Sequence, residues 1–409
     1  MSKKLTRRNF LAQSAVVGCS VAASPLITPV SFAAAPTEHR LVVIILRGGL
    51  DGLDLLRPRQ EEMLSVLRPT LAASREGETP LAEGFGLHPA CAPLYPLWQA
   101  GELAFVNAVS TPYRDKRSHF DGQDLLEAGI ASLDGPVRDG WLNRAIGAVE
   151  GANMQTAYAI GADPMLLSRG AAAITSWSPD VDFVLSQAGV ALMQQTMRHD
   201  PAMAGAMATA LGLSSQSNLS EALGDAALEE AMDEMMSPAG KWAGKAHLRV
   251  AEFAAERLRE EARIACFSLG GWDSHLRQAQ TLQRPLERLV DSILTLHEKT
   301  GPEVWQRTTV MAMTEFGRTA AENGTRGTDH GTGGAMMLAG GALRRAGVHG
   351  VWPGLEEAAL YQRRDLTATD DVRRWAAWAL RSGFGLEGSV LETHVFPGVD
   401  MGSDPQLLA

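Results

Sequence analysis

Three short apolar runs constrain what this chain can become. Leu41-Val42-Val43-Ile44-Ile45-Leu46, Ile264-Ala265-Cys266-Phe267-Ser268-Leu269 and Thr308-Thr309-Val310-Met311-Ala312-Met313 carry no charge and do not alternate with polar residues. A strand wetted on one face alternates. A run that does not alternate fits a strand covered on both faces, as in a parallel sheet between helical layers. Each run breaks into a glycine-bearing loop: Arg47-Gly48-Gly49-Leu50-Asp51-Gly52, Gly270-Gly271-Trp272-Asp273-Ser274-His275, and Thr314-Glu315-Phe316-Gly317-Arg318. Between them, residues 89–100, 118–129, 141–150 and 276–298 read as helices, and 103–109, 155–160 and 335–338 as further strands. Strands alternating with helices predict an α/β fold, a mostly parallel sheet with helices on both faces.

From about 180 to 262 the composition turns to Ala, Met, Glu and Gln without β-branched runs, which predicts a helical insertion of three or four helices. Its methionines are expected to fill helix interfaces.

The N-terminus gives an address. Lys3 and Lys4 precede Thr6-Arg7-Arg8-Asn9-Phe10-Leu11, a twin-arginine pattern; an apolar stretch follows to about Ile27, then small residues at Ser31-Phe32-Ala33-Ala34-Ala35. This order predicts a cleaved export signal over 1–34 and a single domain over 35–409, exported to the periplasm or beyond by the twin-arginine translocase. The formal charge of the whole chain is −10. Loss of Lys3, Lys4, Arg7 and Arg8 with the leader makes the remainder four charges more negative. No basic stripe survives, so a nucleic-acid partner is disfavoured. No later apolar run reaches the ~18 residues a membrane span needs. Cys91 and Cys266 lie far apart in apolar contexts and read as buried free thiols.

In parallel sheets, functional loops gather at the carboxyl ends of strands. Asp51, Asp273, His275, Glu315, and the Asp329 and His330 of Gly327-Thr328-Asp329-His330-Gly331 all fall at such places beside glycine. Carboxylate oxygen and imidazole nitrogen together suit a divalent cation, zinc foremost, with calcium, magnesium or manganese as alternatives.

Leu46-Arg47-Gly48-Gly49-Leu50-Asp51-Gly52-Leu53, Arg117-Ser118-His119-Phe120-Asp121, Gly140-Trp141-Leu142, Gly271-Trp272-Asp273-Ser274-His275 and the two blocks around 315 and 330 resemble the ordered motifs of an uncharacterised, twin-arginine-exported bacterial family titled only as a domain of unknown function. That family is distantly similar to the alkaline phosphatase and sulfatase superfamily. The resemblance implies an alkaline-phosphatase-like fold, one or two metal ions, and hydrolysis of phosphate or sulfate esters, with an anionic small molecule or polymer as substrate. By superfamily order, Asp51 would bridge the metals, Asp273 with His275 would hold one, and Asp329 with His330 the other. Glu315 would compete with Asp329, and His275 stands too close to Asp273 to match the usual spacing.

For the nucleophile, Cys91-Ala92-Pro93-Leu94-Tyr95 begins like the sulfatase signature, but Tyr95 replaces its Arg, and the segment reads as an apolar helix. Ser118 is the better candidate. It opens a helix whose free N–H groups favour an anionic ester, although Ser118-His119-Phe120-Asp121 equally fits a helix cap. Arg47 and Arg318 could grip the anion in bidentate fashion, or Arg318 could pair with a carboxylate. The expected function is an exported metal-dependent ester hydrolase; the alternative is a non-catalytic, metal-stabilised envelope scaffold.

Overall fold

The computed structural model describes residues 37–73, 76–114, 116–135, 139–161, 165–178, 242–344 and 346–408. The expected export signal, and the expected helical insertion up to residue 241, lie outside the described residues. The strand over Leu41–Leu46 is β1 (Arg40–Arg47). It lies at the middle of a nine-stranded sheet. The others are β2 (Leu103–Ser110), β3 (Ala157–Ile160), β4 (Thr175–Trp177), β5 (Ile264–Gly270), β6 (Thr308–Thr314), β7 (Gly334–Ala339), β8 (Gly347–His349) and β9 (Asp370–Asp371). Their spatial order is β8-β2-β7-β6-β1-β5-β3-β4, with β9 also on β2. Every pairing is parallel except the two made by β7, which runs against both β2 and β6.

The non-alternating runs are buried as their composition requires. Along β1, Val42, Ile44 and Leu46 face one core, while Leu41, Val43 and Ile45 face the other. The first core is covered by helices α4 (Trp242–Arg259) and α5 (Gln283–Thr300), through Phe253, Leu258, Leu289 and Ile293. The second is covered by α3 (Trp141–Ala148) and α6 (Val372–Phe384), through Trp141, Ile146, Trp375 and Leu380. Helix α4 is also the part of the expected insertion that is described. No helix of the described residues is long and apolar enough to cross a membrane.

Two expectations about helices need correction. The helix expected over 276–298 starts only after Arg277, whose left-handed conformation ends the preceding loop, and is two, Gln278–Thr281 and α5, with Pro285 lacking the N–H that would bond Thr281. The helix expected over 89–100 starts as a tighter 3₁₀ segment, Pro89–Leu94, and becomes α-helical only at Tyr95. Prolines at 89, 93 and 96 lack the N–H donors that a regular ladder needs there.

Three neighbouring strands end level, with Leu46 opposite both Leu269 and Thr314. Strand β2 is parallel to them across β7, so its exit, which leads to helix α2 (His119–Ala128), lies at the same edge.

Candidate metal centre

Four loops meet at that edge, and close backbone contacts set their positions. Gly48, with φ +126°, lets the β1 loop lie on the β5 loop; a Cβ there would sit 2.6 Å from the amide nitrogen of Asp273. Gly122 lets α2 lie against Phe316, whose ring atoms would be 3.0 Å from a Cβ. Buried Phe316 in turn stacks under His119 at 5.0 Å and lies 5.3 Å from the His330 ring. The result brings three histidines together: ring centroids are 4.2 Å apart for His119 and His330, and 4.7 Å for His275 and His330.

Each imidazole is held by its Nδ1. That of His119 lies 2.8 Å from Glu315 Oε1, that of His330 lies 2.8 Å from the carbonyl oxygen of Arg117, and that of His275 lies 3.0 Å from Asp329 Oδ1. A carbonyl and two carboxylates can only accept, so every Nδ1 carries a proton, and in a neutral imidazole the Nε2 keeps its lone pair. The acceptors are themselves anchored. Burial pushes the Glu315 carboxyl up, but hydrogen bonds from His119, from its own backbone and from Gln123 outweigh it and hold the pKa below the ordinary value. Asp329 is held low chiefly by the Asn323 amide, with His275 adding to it against burial. Arg117 presents its carbonyl from a left-handed backbone, φ +54°, an uncommon conformation for a side-chain-bearing residue.

The three Nε2 atoms converge on one oxygen. Asp273 Oδ1 lies 3.5 Å from His119, 3.0 Å from His275 and 3.3 Å from His330. The Nε2 atoms of His275 and His330 are 2.9 Å apart. His119 Nε2 is buried without a hydrogen-bond partner. One ligand atom each from His119, Asp273 and His330 lie within 4.8 Å of one another, a grouping that could hold a metal ion. Proton positions follow the same logic. The Glu315 hydrogen bond raises the pKa of His119, whereas burial, helped by the nearby His119 and Arg318 charges, lowers that of His330.

The residues expected from sequence divide into three groups. Asp273, His275 and His330 come together, where the resemblance implied separate ions for the Asp273–His275 pair and for His330. Glu315 and Asp329 do not sit at the centre; each stands behind a histidine and orients it, the position of an outer partner to a metal-bound imidazole. Asp51 is turned elsewhere. Its Oδ1 caps helix α1 (Gly52–Leu55) through the N–H groups of Leu53 and Asp54, and its Oδ2 accepts from Arg68 at 2.7 Å and from Gln278. A carboxylate offers about four lone pairs; these four donors use them, so none is left to bridge a metal.

Arg318 is buried and is not a free anion grip. Its Nη1 donates to Asp273 Oδ1 at 2.9 Å and its Nε to Thr328 Oγ1 at 3.3 Å, fixing the carboxylate on which the histidines converge. Thr328 donates to Gln278, which also bonds Asp51, so the buried Asp51–Arg68 pair braces the centre from behind. Arg47 faces Glu127 and Gln123. Ser118 is the N-cap of α2, its Oγ accepting from the Asp121 N–H at 3.4 Å. Cys91 is a buried core thiol whose pKa burial raises to about 12, and Cys266 is likewise buried and free.

His119 was missed as a candidate ligand. It was legible only as part of Arg117-Ser118-His119-Phe120-Asp121, where the cap pattern directs attention to Ser118.

The family described as protein of unknown function (DUF1501) matches residues 108–374, well over half of the chain. The chain belongs to this family. That span contains the three histidines, Asp273, Glu315, Arg318 and Asp329; Asp51 lies outside it. Among solved structures, the chain is similar to a mutant of TAB5 alkaline phosphatase with Mg bound in its M3 site, at 11% identity and a TM-score of 0.35, over 76% of this chain and 94% of that one. No curated protein matches.

Proposed function

We propose that this protein is an exported metal-dependent hydrolase of phosphate or sulfate esters. One observation carries the metal. Three Nε2 atoms approach one carboxylate oxygen at 3.0–3.5 Å, and with the imidazoles neutral their lone pairs repel it unless a cation sits among them. Three nitrogens and one oxygen favour zinc or a similar transition metal over calcium or magnesium, which take oxygen ligands. With Asp51 saturated and Glu315 and Asp329 committed to histidines, the donor set fits one ion.

A divalent cation at His119, Asp273 and His330, with His275 beside it, would keep a position open and there polarise an ester oxygen and acidify a bound hydroxyl or water. The chain does the rest. Glu315, Asp329 and the Arg117 carbonyl fix the imidazole tautomers, and Arg318 fixes Asp273. Solvent reaches the centre from one side, because the side chains of Asp273 and His275 are 45% and 43% exposed. Ser118 is the nucleophile we propose. It adjoins His119 and opens α2, its oxygen accepting a long cap bond from Asp121 and its side chain lying against the Tyr113 hydroxyl.

The test is turnover of an aryl phosphate and an aryl sulfate by the zinc-reconstituted protein, with Asp273→Ala and Ser118→Ala alongside. Asp273→Ala should lose both metal and turnover. Ser118→Ala should lose about two or more powers of ten in turnover and keep its metal. Loss of only the roughly 0.5–2 kcal/mol of a cap, with activity intact, would remove Ser118 from the chemistry. A wild type inert to both ester classes would leave the second reading, a metal-stabilised envelope scaffold, which the use of Ser118 as a helix cap favours.

A further inference from the structure

Two of the five exposed large apolar side chains among the described residues stand next to the candidate metal centre in sequence. Phe120, 84% exposed, directly follows His119, and Leu276, 55% exposed, directly follows His275. Both neighbours are pinned, His119 to Glu315 and His275 to Asp329, so the backbone from which each apolar side chain springs is fixed relative to Asp273. The two histidines approach the same Asp273 oxygen, and His330 lies beside both. Phe120 and Leu276 therefore each start one residue from a histidine of the centre. An isolated exposed apolar residue is ordinary, since most protein surface is apolar. A pair placed one residue beyond two histidines of a polar centre open to solvent is a different arrangement, because it puts apolar surface on the two chain segments that carry the centre.

We propose that Phe120 and Leu276 form an apolar subsite for the organic part of the substrate, so that the protein takes esters combining a small anionic head with an aryl or alkyl group. This rests on the hydrolase reading above and deepens it. The head goes to the cation and the imidazoles, and the organic group lies along the two exposed side chains and removes their surface from water. Covering even one or two methylene-sized areas should strengthen binding by about tenfold.

The experiment is calorimetry of the zinc-reconstituted full mature chain with benzylphosphonate and methylphosphonate, which share a head and cannot be turned over as esters. It is repeated on Phe120→Ser, Leu276→Ser and the double variant. The wild type should prefer benzylphosphonate by about tenfold, and the preference should fall stepwise to within about twofold in the double variant. The ratio is the readout, because general damage to the centre would weaken both ligands together. Equal affinities in the wild type, or an unchanged ratio in the double variant, would overturn the subsite and leave the hydrolase reading standing. Failure of both phosphonates to bind the zinc-loaded wild type would overturn both.

Discussion

Replacing Glu315 with Gln separates an orienting carboxylate from a ligand. Glu315 is wholly buried and, besides its own backbone N–H, takes on Oε1 the N–H of Gly48 at 2.9 Å, the His119 Nδ1 at 2.8 Å and the Gln123 amide at 3.1 Å, and on Oε2 the Thr314 hydroxyl at 2.9 Å. A glutamine in the same rotamer keeps its oxygen toward the first three. Its amide then donates to Thr314 Oγ1, whose own proton goes to the Leu46 carbonyl already 2.9 Å away. No buried donor is orphaned. The folding cost should be about 1 kcal/mol, the difference between charge-assisted and neutral hydrogen bonds. What disappears is the negative charge that makes His119 a stronger base. Loss of such an outer partner weakens metal affinity by about 10–100-fold, or roughly 1.4–2.7 kcal/mol. Zinc titration against a chromophoric chelator, beside a denaturant melt of the metal-free protein, measures both quantities. Unchanged affinity would mean that Glu315 does not act through a bound His119. Complete loss of binding in a normally folded Glu315→Gln protein would make Glu315 itself a ligand.

Asp51→Ala should cost about 3–5 kcal/mol, because it strands the buried Arg68 guanidinium, yet the folded fraction should still bind zinc; denaturant melts with elemental analysis decide, and a stable protein without metal would return Asp51 to the ligands. Acid should destabilise the fold through His39, whose pKa burial and then Arg40 lower to about 4. The folded state binds fewer protons than the unfolded one between pH 4 and about 6.5, so this contribution is intact above 6.5 and is lost as pH falls to 4. It is worth at most about 3 kcal/mol. A His39→Gln protein should show a flatter fall in melting temperature over that window, and an identical fall would refute the assignment. Replacing Arg7 and Arg8 together with lysine should trap precursor in the cytoplasm, as fractionation and immunoblotting would show; normal export would reject the twin-arginine route.

The layered sheet was legible because burial on both faces leaves a local mark. Six consecutive apolar residues at Leu41–Leu46 can hardly be anything but a covered strand, and three such runs with glycine loops place their carboxyl ends together. The short strands Thr175–Trp177, Gly347–His349 and Asp370–Asp371 leave no such mark. Two or three residues show no period, and only their partners on β2 and β3 make them strands. The reversed direction of β7 is equally silent, since an apolar hexamer reads the same in either orientation.

Within the metal centre, sequence determined which chemistry was available and at which edge of the sheet: Asp273, His275, Asp329 and His330 sit in glycine-bearing loops after strands, and a strand's end is a local property. It could not determine which side chains face the candidate ion position and which stand behind them. Glu315 and Asp51 are both carboxylates just past a strand, yet one steers His119 and the other is consumed by Arg68 and a helix cap. That difference lies in contacts between residues 17 to 267 positions apart. His119 joined the centre only because α2 enters from a strand across β7 and Gly122 lets it approach Phe316. Ligand identity here is a matter of which lone pairs remain after the fold has used the others, and only the packed chain settles that.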